Sequence, residues 1–102
     1  MSEFVKVASK SDLPGDNEAK EFPCGEKMVC IASVDGQLSA LDNVCLHRGG
    51  PLGQGVIADG KLICPWHGWM YDPKSGAATH APDAKVAVYS IKIEGDDVLI
   101  QL

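Results

Sequence analysis

Apolar and small residues fill KMVCIASV (27–34), the pair Asp35-Gly36 interrupts them, and QLSAL (37–41) resumes the pattern. Valine, isoleucine and small side chains on either side of a two-residue Asp-Gly break predict a β-hairpin. The same device recurs at Asp59-Gly60, between GVIA and KLIC. A third hairpin is expected near the C-terminal end. There Tyr89, Ile91 and Ile93 alternate with Ser90, Lys92 and Glu94 before Gly95-Asp96-Asp97 turns the chain into VLIQL. Residues 11–26 carry Pro14, Gly15, Pro23 and Gly25, and read as a turn-rich surface loop interrupted at most by a short strand. No long helical period, repeat or linker breaks the sequence. The expected fold is all-β, with many short strands in a single domain over residues 1–102. Its middle, from about residue 43 to 83, is dense in Gly, Pro, Cys, His and Trp.

Composition narrows the class. The 102 residues, 45% hydrophobic and 23% charged, suit a globular domain with one modest core that a bound metal or cofactor would help to staple. The start, MSEFVKVASK, lacks the basic-then-apolar layout of a signal peptide. No apolar run approaches the ~18 residues of a membrane span, so a cytoplasmic, non-membrane protein is expected. A net charge of −5 argues against nucleic acid and for a partner with a basic docking surface. In a reducing compartment the four cysteines read as metal ligands or buried thiols rather than a disulfide framework.

The middle segment holds the chemistry. Cys45-Leu46-His47 and Cys64-Pro65-Trp66-His67 are two Cys/His pairs, each followed closely by glycine. Two thiolates and two imidazoles satisfy either a tetrahedral zinc or a [2Fe–2S] cluster with two cysteines on one iron and two histidines on the other. A single residue between Cys45 and His47 is awkward for binding one zinc ion and natural if the two side chains go to different irons. Each loop would then give one ligand to each iron. Gly49, Gly50, Gly53 and Gly68 would let the backbone approach the cluster.

At these residues the sequence resembles the Rieske family. VCLHRGGPL looks like its first cluster loop and CPWHGWMYDPKSG like its second, as in ferredoxins and oxygenase components of the aromatic-ring dioxygenase type. The resemblance is strong over about residues 43–76 and implies an antiparallel β-sandwich base with an inserted cluster-binding subdomain. It implies that Cys45 and Cys64 bind the inner iron and that His47 and His67 bind the outer one. Gly50 and Trp66 stand where the respiratory branch of the family has two further cysteines joined in a disulfide, and Trp69 stands where that branch has a serine donating to a cluster sulfur. Tyr71 matches the family's sulfur-facing tyrosine. These features resemble the lower-potential, dioxygenase-type branch. With two thiolates and neutral imidazoles the oxidised cluster carries no net charge, which places its potential in the range of about −150 to +300 mV.

The remaining candidates read more plainly. Cys24 and Cys30 are expected to be inert thiols, and His80 a surface or hydrogen-bonded loop residue. Asp72 reads as a turn residue before Pro73, and Arg48 as a loop-bracing cation. Of Trp66 and Trp69, at least one is assigned to shielding the cluster or to the docking face, the alternative being core filler. That face is expected over His47 and His67, on Leu46, Pro51, Leu52, Trp66 and Pro82. The implied function is a monomeric, one-electron ferredoxin that is not itself an enzyme, passing electrons from a flavoprotein reductase to a terminal oxygenase. The alternatives are a small Rieske subunit of a larger reductase such as nitrite reductase, and a structural zinc module.

Overall fold

The computed structural model describes residues 4–44, 50–65, 68–79 and 81–101, with the side chains of 81–83 left aside. Among these residues eleven strands form two antiparallel sheets. The larger, base sheet has the order β1 (Phe4–Ser9), β11 (Asp97–Gln101), β10 (Val88–Glu94), β4 (Gln37–Asp42), β3 (Lys27–Val34), β2 (Glu18–Cys24). The second has β5 (Val56–Ala58), β6 (Lys61–Ile63), β7 (Met70–Tyr71), β8 (Ala77–Ala78) and β9 (Ala81–Lys85), paired in chain order.

All three expected hairpins form. Asp35 and Gly36, at φ 50° and 83°, and Asp59 and Gly60, at 51° and 75°, have the two positive φ values that a type I′ turn requires. In the third hairpin Glu94 pairs with Asp97, so the turn is only Gly95-Asp96 and Asp97 already belongs to β11. Here only the first residue, Gly95, has positive φ (60°), as in a type II′ turn.

The stretch 11–26 departs from expectation. Its second half is the seven-residue strand β2, in register with the whole of β3 from Glu18↔Ser33 to Cys24↔Lys27. Gly25-Glu26 makes a further tight turn, with Gly25 at φ 64°. Proline at position 23 is tolerated because β2 lies at the sheet edge, where a missing N–H breaks no second ladder. The N-terminal β1, which no sequence signal singled out, pairs with β11 through a bulge between Lys6 and Ala8.

Two cores result, one on each side of β3. Val29 and Ile31 pack with Phe22, Cys24, Ala40, Val98 and Ile100 inside the curled base sheet. The alternate residues Cys30 and Ala32 pack outward with Leu41, Leu52, Leu62, Cys64, Tyr71, Ala78 and Val86, which joins the base to the second sheet. Burial on both faces explains why KMVCIASV is nearly continuous in apolar and small residues instead of alternating.

The second sheet is closed by a turn that only glycine fits. Gly76 is buried at φ 79°, and its carbonyl accepts the Val86 N–H at 2.9 Å. A Cβ there would meet the Val86 carbonyl and lie 2.9 Å from Val88 Cγ2. Gly76→Ala is expected to cost at least about 1–2 kcal/mol from the left-handed backbone alone, with the clash in addition. Denaturant unfolding of the holoprotein measures it, and an unchanged midpoint would contradict this account of the turn.

Candidate metal centre

The two segments that carry the expected ligands are each closed at their base by backbone contacts between described residues. The first lies between Val44 and Pro51, which form an antiparallel bridge, and below it the Leu52 N–H donates to the Asn43 carbonyl at 2.9 Å. The second lies between Cys64 and Trp69, where the Cys64 N–H donates to the Trp69 carbonyl at 2.8 Å. Gly68, inside this tip, holds φ 73° in open space, so it is the backbone conformation that calls for glycine. The residues flanking the two segments, Leu52 on one side and Cys64 and Tyr71 on the other, share one buried cluster, so both segments spring from the same core.

Of the four expected ligands, Cys64 falls within the described residues. It is 1% exposed, at the end of β6, in the outer core beside the fully buried Tyr71. Cys45, His47 and His67 lie outside the described residues, as do Leu46, Arg48, Gly49, Trp66, His80 and the side chain of Pro82. The one donor among the described residues, Cys64, fits a thiolate ligand of a metal cluster. A sulfur donor sits at the foot of one tight tip, in apolar surroundings that exclude water, and a second tip with glycine at its foot is anchored to the same core.

Other assignments change in detail. Trp69 is half-buried against the outer core, its ring 6.5 Å from that of Tyr71, so it serves packing and shielding rather than an exposed face. Leu52 is fully buried and cannot belong to a docking patch. Exposed apolar surface near the first tip comes instead from Val44, 51% exposed, and Met28, 41% exposed. Together with Pro51, Glu26, Lys27 and Asp42 they line a groove of about 430 Å³. Gly53 does not serve the tip's backbone as expected. It packs on β2, where a Cβ would come within 2.6 Å of the Glu21 backbone nitrogen. Asp72 is the turn residue its sequence suggested, its carboxylate accepting the Lys74 N–H at 2.9 Å and its carbonyl the Gly76 N–H at 2.7 Å.

A polar group that sequence reading passed over stands at the foot of the first tip. Asn43, buried, accepts the Gly53 N–H on Oδ1 at 2.7 Å and donates through Nδ2 to Glu21 Oε2 at 2.9 Å. Gln54 Nε2 donates to the other Glu21 oxygen at 3.0 Å. The hydrogen bonds from Gln54 and then Asn43 hold the Glu21 carboxyl below its usual value of 4.5, against a smaller opposing effect of burial. The only sequence signal was position: Asn43 directly precedes the Val44-Cys45 segment, and Glu21 faces Cys30 across the β2–β3 pair.

The chain belongs to the Rieske family: residues 3–91 match the Rieske [2Fe-2S] domain. It is 32% identical over 99 residues to the ferredoxin component of the alkene monooxygenase system of Xanthobacter autotrophicus (strain ATCC BAA-1158 / Py2), covering 96% of this chain and 80% of that protein. The ferredoxin of carbazole 1,9a-dioxygenase from Nocardioides aromaticivorans IC177 superposes with a TM-score of 0.82 at 25% identity, over 95% of both chains. The Sphingomonas yanoikuyae B1 ferredoxin shares the fold with a TM-score of 0.85 at 24% identity, over 98% of this chain and 99% of that one. The protein is a Rieske-type electron carrier whose cofactor is a [2Fe–2S] cluster, which sets the zinc reading aside.

The two remaining cysteines are free thiols on opposite faces of the base sheet, Cys24 in the inner core and Cys30 in the outer. They are therefore no redox pair. Burial, with a further push from Glu21, raises the Cys30 thiol to about 12. A raised acid favours the neutral form in the fold. This contribution is fully present below the unfolded thiol value of 9.0 and is lost as pH rises toward 12. In the folded holoprotein neither thiol should react with Ellman's reagent at pH 8, and both should react on unfolding. Rapid labelling of Cys30 in the native protein would overturn its assignment.

Proposed function

We propose that Cys45 and Cys64 bind the inner iron and His47 and His67 the outer iron of the cluster, in one Rieske domain spanning residues 1–102. The observation that carries this reading is the pair of tips, each closed at its base and each rooted in the same core, with Cys64 at the foot of one. The cluster supplies a one-electron couple. The chain's own residues root the described ends of both segments in one core, and Tyr71, Leu52, Leu62 and Trp69 pack there with Cys64 and keep water from its sulfur. The protein acts as a monomeric carrier in the cytoplasm, taking electrons from a flavoprotein reductase and giving them to a terminal oxygenase. The naming of the Xanthobacter relative as the ferredoxin component of a monooxygenase system supports this partner class.

Purified protein should contain two irons and two labile sulfides per chain, and alanine at any of the four ligand positions should abolish or badly destabilise the cluster. One zinc with no visible absorption, from cells not starved of iron, would refute the assignment. The proposed docking surface lies beside the first ligand segment and includes Val44, Pro51 and Met28, with Glu26 and Asp42 at its edge. With a net charge of −5, electron transfer to an added oxygenase or reductase should slow as salt is raised. A rate indifferent to ionic strength would count against a basic partner surface.

The fully buried Tyr71 shares the outer core with Cys64, which supports a role beside the cluster. If its hydroxyl donates to a cluster-side sulfur, Tyr71→Phe should lower the reduction potential, because a donor favours the more negative, reduced state. A hydrogen bond to a charged group corresponds to a fall of roughly 60–130 mV. Protein-film voltammetry on protein of unchanged iron content measures it, and an unchanged or higher potential would exclude the hydroxyl as a donor.

A further inference from the structure

The foot of the first tip is held by one residue, through its backbone carbonyl and both polar atoms of its side chain. Asn43 gives its carbonyl to the Leu52 N–H, its Oδ1 to the Gly53 N–H and its Nδ2 to Glu21. Glu21 in turn is fixed by Gln54, which belongs to the same short turn, Leu52–Gln54, that Asn43 grips from the other side. These contacts form a closed ring: strand β2 to the residue entering the tip, that residue to the turn leaving it, and the turn back to β2. Gly53 completes the ring by lying directly on the Glu21 backbone.

The chain that enters the tip at Asn43 and leaves it at Leu52 is thus fixed on both sides, two residues before Cys45 and a few residues after His47. We propose that Asn43, held by Glu21, is a positioning residue that sets the geometry of the Cys45–His47 loop and so of the cluster bound there. This rests on Cys45 and His47 being ligands, which the alanine variants test separately. A ring that served only to fasten β2 to the turn would affect melting and leave the electronic structure of the cluster untouched. A positioning ring changes the angles at which Cys45 and His47 meet their irons, which EPR g-values of the reduced protein report directly.

The ring also allows a polarity swap. Asn43→Asp keeps the acceptor for the Gly53 N–H but turns the contact with Glu21 into a repulsion between carboxylates. Adding Glu21→Gln gives position 21 an amide that donates to the new carboxylate at 43 while its oxygen still accepts from Gln54, so every bond of the ring is restored, with donor and acceptor exchanged only between 43 and 21. In the reduced holoprotein, Asn43→Asp should shift the g-values and release the cluster to a chelator about tenfold faster, the change expected from one buried polar group set against its partner. The double variant should return both readouts toward wild type. Gln54→Ala, at an exposed position and so harmless to folding, removes one of Glu21's two donors and should shift the g-values in the same direction by less. The proposal is overturned if both Asn43→Asp and Gln54→Ala leave the g-values at their wild-type positions. It is also overturned if the double variant is as perturbed as Asn43→Asp alone. If Asn43→Asp does not accumulate as holoprotein, recovery of cluster and g-values in the double variant together with the Gln54→Ala shift upholds the proposal, and a silent Gln54→Ala rejects it.

Discussion

Strand β3 is buried on both faces, and the rest of the molecule is arranged around that constraint. Its odd-numbered residues Val29 and Ile31 close the core of the base sheet, and its even-numbered residues Cys30 and Ala32 form the floor on which the second sheet and the feet of both tips rest. A strand with two dry faces has no solvent-facing side chains along its central residues, so any shift of register by one residue would exchange the two cores. The type I′ turn at Asp35-Gly36 and the full-length pairing with β2 fix that register from both sides. The described residues flanking both ligand segments therefore rest on a strand whose register is fixed from two sides.

How much of this was legible follows from which rules are local. The three hairpins could be read because two-residue turns write their requirement for positive φ directly into Asp-Gly and Gly-Asp pairs. The paired Cys/His motifs were equally readable, since metal ligation demands particular residue types at short spacing. Strand β2 was hidden because EAKEFPC has a proline and three charged residues, and reads as a strand only when one knows that it is an edge with a wet face. The Asn43–Glu21 contact spans twenty-two positions in sequence and two different elements, and nothing at either residue announces the other. Leu52 and Gly53 were misplaced for a related reason. A leucine and a glycine beside a ligand loop suggest an apolar patch and a close backbone approach, and the sequence does not say that the partner in each case is the protein's own core or strand.

The anchoring of the tips bears on what cluster binding contributes to the fold. Each tip is short and is already closed at its base by contacts made within the protein, so little loop-closure entropy is left for the cluster to remove inside either one. What bound iron adds is the link between the two tips, and its stabilisation should fall mainly on the second sheet and the outer core rather than on the base. The base has its own core, centred on Val29, Ile31, Val98 and Ile100, whereas Cys64, the proposed ligand among the described residues, belongs to the outer one. A scaffold built this way anchors the ends of both ligand segments by contacts that do not depend on the cluster. That suits a carrier, because a site that need not reorganise as its charge changes by one unit presents a smaller barrier to transfer in either direction.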